Sequence, residues 1–211
     1  MKFDTLLFDF DETLVSSKAA YYAAYKHALV AHLGDTVEDL FEDIWKRPQA
    51  LKEFFKKQGR ERAALIMESF EIYYYSQHHN LKTYPYIVEV LEKLRTAGIS
   101  LGIVSLKPRR AGEKELDFCG LRHFFDVVIW GDDVEAPKPA PEGCFRALEN
   151  LNGKHAIMCG DSVSDIEMGK AAGILTVAAL WGEVDRELLL ATIPDYECEH
   201  PEQLIELVLN Y

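Results

Sequence analysis

The 211-residue sequence predicts an α/β fold, a parallel sheet with helices on both faces, broken after its first strand by an inserted helical domain. Three observations lead there. From Tyr84-Pro85 onward, short strand-like runs alternate with helical stretches of about ten residues, the pattern of a parallel sheet with crossover helices. Between residues 16 and 80 the pattern changes to helix-period apolar positions with no strand-like run. The run Leu6-Leu7-Phe8 stands ahead of that insert and supplies the first strand.

Met1 to Phe10 reads as that strand, and it ends where Asp9-Phe10-Asp11-Glu12-Thr13 makes a buried strand untenable. The insert carries apolar positions at Tyr22, Tyr25 and Leu29, then Leu40 and Ile44, then Leu51, Phe54 and Phe55, then Ala64, Leu65, Met67, Phe70 and Ile72. Gly34, Pro48 and Gly59 punctuate it into three or four helices. Beyond it, a helix spans roughly Ile87 to Thr96 and stops at Gly98. A strand follows at Ile99 to Ser105, a helix near Arg110 to Phe118, and a strand at Asp126 to Trp130. The alternation continues with a helix at Glu142 to Glu149, a strand at His155 to Cys159, a helix at Ser164 to Ala172 and a strand at Ile174 to Leu180. The tail holds a helix near Arg186 to Leu190, a short strand near Tyr196 and a helix at Glu202 to Leu209. The expected organisation is a core of residues 1–15 and 81–211 with residues 16–80 as a helical cap. Because the insert leaves at the end of the first strand, it is expected to cover that edge as a lid.

Composition narrows the function. Hydrophobic residues make up 48% of the chain, enough for a sizeable core. The net charge of −12 repels nucleic acid and anionic membrane surfaces, so neither is an expected partner. It also repels an anionic substrate, which would need local cations at its site. Cys119, Cys144, Cys159 and Cys198 form no CxxC pair and read as free thiols in a reducing compartment. The start of the chain lacks the pattern of a signal peptide, and no apolar run approaches the ~20 residues of a membrane span. A cytoplasmic protein is expected.

The chemistry-bearing residues fall at predicted strand ends, where open parallel sheets bind ligands. Asp9 and Asp11 end the first strand, and Ser105 ends the second. Asp161 ends the fourth, with Asp165 one helical turn on, and Lys138 lies in the stiff loop Ala136-Pro137-Lys138-Pro139. Residues i and i+2 of a strand share a face, as do i and i+4 of a helix, so each aspartate pair can converge. Two unit charges ~4 Å apart cost roughly 4 kcal/mol at an effective dielectric of 20. A hard divalent cation resolves that conflict, and oxygen-only ligands suit Mg2+ better than zinc. A carboxylate beside such a metal can attack phosphorus and form an aspartyl-phosphate. A second carboxylate can protonate the leaving oxygen and later activate water. Lys138 and the Ser105 hydroxyl can hold phosphoryl oxygens. The combined chemistry is phosphoryl transfer.

Four motifs then carry a resemblance: Asp9-Phe10-Asp11-Glu12-Thr13-Leu14, Ile103-Val104-Ser105, Pro137-Lys138-Pro139-Ala140-Pro141-Glu142, and Gly160-Asp161-Ser162-Val163-Ser164-Asp165 extended by Ala171-Ala172-Gly173. In this order and spacing the chain resembles the haloacid dehalogenase-like hydrolases over its whole length, in the helical-cap branch with phosphoglycolate phosphatase-like and β-phosphoglucomutase-like enzymes. The resemblance implies a Rossmann-like core, Asp9 as nucleophile and Asp11 as general acid/base. It implies Ser105 and Lys138 as phosphoryl-binding residues. It also implies Mg2+ held by Asp9, the Asp11 backbone carbonyl, Asp161 and Asp165, the last directly or through water. The implied substrate is a small phosphorylated metabolite. Three residues depart from the family pattern: Glu12 and Tyr86 where glycine is common, and Leu106 where asparagine is frequent. Retention of Asp11 argues against carbon–halogen cleavage, which needs no acid for its leaving group.

A phosphatase is the leading reading. A sugar phosphomutase of the same fold is the alternative, and a non-catalytic binding relative a third. Other conspicuous residues have plainer expected roles. Lys107, Arg109 and Arg110 read as a solvated basic cluster at a helix start. The tyrosines at 21, 22, 25, 73, 74 and 75 read as packing residues of the insert, as do Trp45 and Trp181, and His78 and His79 as surface residues.

Overall fold

The computed structural model describes residues 3–34, 37, 41, 42, 45, 48–77 and 80–210. The predicted positions Leu40, Ile44, His78 and His79 lie outside the described residues. The chain divides into two compact units, Met1–Ser16 with Lys82–Tyr211, and Ser17–Leu81.

The first unit is built on six parallel strands: β1 (Thr5–Phe8), β4 (Ser100–Val104), β5 (Val127–Ile129), β6 (Ala156–Gly160), β7 (Leu175–Ala179) and β8 (Tyr196–Cys198). Their order is β5-β4-β1-β6-β7-β8, with every neighbouring pair parallel. This is the predicted sheet. The central strands are continuous apolar runs because both faces are covered, which is what buried parallel strands require. Leu6, Leu7 and Phe8 are fully buried. Leu7 packs in one cluster with Val104, Ile129, Cys144, Ala147, Met158 and Met168.

The order matters for function. From β1 the chain builds outward through β4 and β5, then crosses back to build β6, β7 and β8 on the other side. Such a reversal opens a crevice at the carboxyl ends of the strands on either side of it. Here those ends are followed by Asp9, Ser105 and Asp161, one from each of β1, β4 and β6.

Among its described residues this unit has six α-helices: α4 (Ile87–Thr96), α5 (Arg109–Phe118), α6 (Glu142–Leu151), α7 (Val163–Ala171), α8 (Arg186–Ala191) and α9 (Gln203–Leu209). Helix ends follow local chemistry: Gly98, Gly120 and Gly173 take positive φ just past α4, α5 and α7. Two short antiparallel strands were not legible in the sequence, β2 (Val15–Ser16) and β3 (Lys82–Thr83). They pair where the chain leaves and re-enters the sheet unit, so Ser16 is a strand residue and not part of a helical stretch. Two-residue strands have no periodicity to read. Among the described residues of the expected strand from Met1 to Phe10, strand structure spans Thr5–Phe8, and Phe3, Asp4, Asp9 and Phe10 lie outside it.

The second unit contains α1 (Lys18–Leu33), α2 (Pro48–Gln58) and α3 (Arg60–Ser76) among its described residues. Its aromatic runs pack against one another. Tyr25 stacks on Phe70 at 4.2 Å, Tyr21 lies 4.6 Å from Tyr74, and Tyr22 meets Trp45 edge-on at 5.3 Å. Tyr73 stacks on His27 at 4.1 Å. Contacts of this geometry add about 0.5–1.5 kcal/mol each beyond buried area. All four cysteines are free, three of them buried. Among the described residues, no helix is long and apolar enough to cross a membrane.

One close approach supports the sheet edge beside the crevice. Trp130 is fully buried, meets the Phe10 ring edge-on at 5.7 Å and donates its Nε1–H to Glu113. Its ring packs against Gly112 of α5, where a Cβ would sit 2.4 Å from the indole. Gly112→Ala should therefore cost about 1–3 kcal/mol through overpacking. Urea denaturation checks this, and an unchanged midpoint would show that the indole can move aside.

Candidate active site

Four of the six sequence-predicted residues, Asp9, Lys138, Asp161 and Asp165, form one cation-and-carboxylate cluster, and all six line the same cleft. Asp9 leaves β1 with its N–H donating to the Cys159 carbonyl at 2.9 Å, which continues the sheet pairing and fixes its side chain. Lys138 Nζ donates to Asp9 Oδ1 at 2.6 Å and to Asp165 Oδ1 at 2.5 Å. Carboxylate oxygens of Asp9, Asp161 and Asp165 lie within 4.8 Å of one another. The side chains of Asp165, Lys138 and Asp9 are 1%, 4% and 12% exposed, so these charges face one another largely out of water.

Local structure explains each placement. Asp165 sits in the first turn of α7, where negative charge complements the helix dipole. Ser162 caps that helix: its hydroxyl donates to Asp165 Oδ2 at 2.6 Å, and its N–H donates to the same oxygen at 3.1 Å. Asp161 Oδ1 accepts a hydrogen bond from the Thr13 hydroxyl at 3.1 Å. The Thr13 carbonyl in turn accepts from Trp181 Nε1 at 2.9 Å, so Trp181 is a hydrogen-bonding residue as well as a packing one. The loop carrying Lys138 is held from below by Glu142, whose carboxylate accepts the N–H groups of Ala136 and Glu135. Those two N–H groups keep the Glu142 carboxyl below its ordinary range.

The electrostatics follow from burial. Burial pushes the Asp9 carboxyl up to about 7; Lys138 opposes this, and Asp165 and Asp11 add to it. Burial, then Asp9 and Asp165, hold Asp161 well above the usual carboxylate range. Burial alone would lower the Lys138 ammonium, but Asp165 and Asp9 reverse the sign and raise it. One lysine cannot neutralise three carboxylates.

Asp11 stands apart from that cluster. Its Oδ1 accepts from Lys107 Nζ at 2.6 Å. This corrects the reading of Lys107 as part of a solvated basic cluster. Its side chain is completely buried, and Nζ also lies 2.8 Å from Glu115 Oε2. Arg109 keeps an exposed position and pairs with Asp133 and Glu113, and Arg110 is exposed. Lys107 differs because it lies two residues past Ser105, where the loop still faces the core. Neither that position nor Glu115, one charged residue among several on α5, gave a periodic signal. Thr13 and Ser162 are likewise site residues whose roles depend on contacts distant in sequence or on a cap.

Ser105 is buried at the end of β4, and its Oγ accepts from the Lys107 N–H at 3.2 Å. Together with Asp9, Asp11, Glu12, Leu106, Lys107, Lys138, Asp161, Ser162, Ser164 and Asp165, it lines a cleft of about 230 Å³. Two departures from the family pattern gain a physical reason. Glu12 has φ of 58° and Tyr86 has φ of 66°, the left-handed region in which glycine carries no steric penalty. Glu12 is held there by a hydrogen bond from Tyr84 Oη to Oε2 at 2.7 Å, and its N–H donates to Val15 at 2.7 Å. Leu106 is half-exposed at the cleft and brings no polar group to it.

Similarity to known proteins agrees with this geometry. Residues 6–179 match the haloacid dehalogenase-like hydrolase family. The chain is 32% identical over 212 residues to the pyrophosphatase PpaX of Oceanobacillus iheyensis, covering 99% of this chain and 98% of that one. A predicted phosphoglycolate phosphatase from Haemophilus somnus superposes with a TM-score of 0.84 at 22% identity, over 98% of both chains. A haloacid dehalogenase-like hydrolase from Streptococcus pneumoniae gives 0.80 at 23% identity, over 97% of this chain and 98% of that one. A family match across most of the chain and a relative matched along its whole length identify this protein as an enzyme of the haloacid dehalogenase-like hydrolase family, of the phosphatase type.

Proposed function

We propose that the protein is a Mg2+-dependent phosphatase acting on a small phosphorylated metabolite through an aspartyl-phosphate on Asp9. The observation that carries this reading is the cluster of Asp9, Asp161 and Asp165 around a single lysine. Its donor set is all oxygen, Asp9 and Asp165 are buried, and the Asp9 and Asp161 carboxyls are pushed up by burial and by neighbouring carboxylates. Such a set fits a hard divalent cation. Asp9, Asp161, Asp165 and the Asp11 backbone carbonyl would hold it. When bound, Mg2+ supplies charge neutralisation for the meeting of a carboxylate with a phosphoryl group.

The protein's own groups divide the remaining work. An Asp9 oxygen forms a bond to phosphorus while the bridging P–O bond breaks. Asp11 gives its proton to the departing oxygen. In the second half, water attacks phosphorus, Asp11 takes a proton from it, and the bond from Asp9 to phosphorus breaks. Lys138 and the Ser105 hydroxyl bind and orient the non-bridging oxygens. Residues 17–81, inserted shortly after the Asp9–Asp11 motif, act as the cap that selects the substrate.

A second reading concerns the substrate. Inorganic pyrophosphate is favoured by the full-length 32% match to a pyrophosphatase. A sugar phosphomutase has only fold-level support.

A panel of phosphoglycolate, sugar phosphates, nucleotides and pyrophosphate should reveal Mg2+-dependent release of phosphate from at least one member. Asp9→Asn should lower kcat on that substrate more than about a thousandfold. Unchanged turnover in Asp9→Asn would end the proposal, and interconversion of sugar phosphates without phosphate release would favour the mutase.

Metal binding and protonation should also be linked. Asp9 titrates near 7 when folded, against an ordinary value of 3.8. Between those values the folded protein holds a proton that the unfolded chain has lost. Stability therefore falls as pH rises through this window, and the full cost is present above it. Mg2+ removes that cost by pairing with the ionised form. Thermal unfolding should show a larger Mg2+-induced rise in Tm at pH 8 than at pH 5.5. An equal rise at both would separate the metal from Asp9.

A further inference from the structure

Lys107 is not needed to explain phosphoryl binding, yet it is the most deeply enclosed cation next to the cleft. Its side chain is completely buried, and the little surface Lys107 exposes beside the cleft is backbone. Its ammonium is fixed from three sides: Asp11 Oδ1 at 2.6 Å, Glu115 Oε2 at 2.8 Å, and the Phe10 ring with its centroid at 5.4 Å. The backbone is pinned as well. The Lys107 N–H donates to Ser105 Oγ, and the Lys107 carbonyl accepts from the Gly131 N–H at 2.9 Å. Gly131 permits this approach because a Cβ there would lie 2.4 Å from the Leu106 carbonyl oxygen.

Glu115, on α5, is fully buried. A buried lysine–glutamate pair is seldom a net source of stability, because desolvation offsets the attraction. Its placement in contact with Asp11 needs another reason. Asp11 is the only member of this trio with an accessible side chain, 27% exposed, and it lines the cleft. Glu115 balances the charge of Lys107 from the side away from the cleft, which leaves the ammonium as a fixed post against which the Asp11 carboxylate is oriented.

We propose that the buried Lys107–Glu115 pair is a positioning device for Asp11 in the proton-transfer half of the reaction. This rests on the reading of Asp11 as the acid. The pair holds Oδ1 of Asp11, which leaves Oδ2 to carry the proton toward the leaving oxygen, and takes no part in metal or phosphoryl binding.

The prediction is a loss that depends on the leaving group. A simple alkyl phosphate departs as a poor leaving group and needs a proton as its P–O bond breaks. 4-Nitrophenyl phosphate departs as a stable phenolate and needs little help. Lys107→Met alone would strand Glu115 as an uncompensated buried charge and risk unfolding. The variant to make is therefore Lys107→Met with Glu115→Leu, which removes both charges together. Its thermal unfolding should remain cooperative, and calorimetric Mg2+ affinity should stay within a few-fold of the parent. Its kcat on the alkyl phosphate should fall about 10- to 100-fold, with KM little changed. The loss on 4-nitrophenyl phosphate should be several-fold smaller. Equal losses on the two substrates, or none on either, would overturn the proposal. Asp11→Asn serves as the reference. If it shows no preference for the alkyl phosphate, the reading of Asp11 as the acid fails and the proposal with it. If it shows the preference and the Lys107/Glu115 variant does not, only the positioning role fails.

Discussion

Lys138 Nζ lies between Asp9 and Asp165, at 2.6 and 2.5 Å, and much of the surrounding structure keeps it there. β1 and β6 bring Asp9 and Asp161 to the same sheet edge because the strand order reverses between them. The Ser162 cap turns Asp165 inward, and Glu142 holds the loop that delivers the lysine. Three carboxylates in a buried space are tolerable only with compensating charge, and one ammonium is not enough. The excess negative charge left at this edge is what supports the proposal that a cation binds here.

The aspartates divide by environment. Asp9, Asp161 and Asp165 share a buried cluster with Lys138. Asp11 belongs to a different charge group with Lys107 and Glu115, and it keeps part of its side chain exposed. Separation of this kind is the physical basis for the different roles proposed for two carboxylates two residues apart. The net charge of −12 fits the same logic, since the two lysines that line the crevice, Lys107 and Lys138, have buried, carboxylate-paired ammonium groups.

Much of the core was legible because it rests on strong, local patterns. The apolar runs of β1, β4 and β6 and the helices between them follow from burial on both faces, and the site acids stand at the ends of those runs. The short strands Val15–Ser16 and Lys82–Thr83 were not legible, because two residues cannot express a period. Lys107 was misread for a different reason. A lysine beside two arginines at a helix start resembles a solvated cluster, and only its spatial partners Asp11 and Glu115 show that it points inward. Glu12 and Tyr86 were visible as departures, but their common cause, a positive φ, exists only in the folded backbone.

Identification of the phosphorylated residue tests the role of Asp9 most directly. The enzyme is quenched in acid during turnover of its best substrate with Mg2+, digested, and analysed by mass spectrometry. One phosphoryl group should be found on the peptide containing Asp9, and its mass shift should disappear in Asp9→Asn. A phosphoryl group on any other residue, or none during undiminished turnover, would contradict the nucleophile assignment.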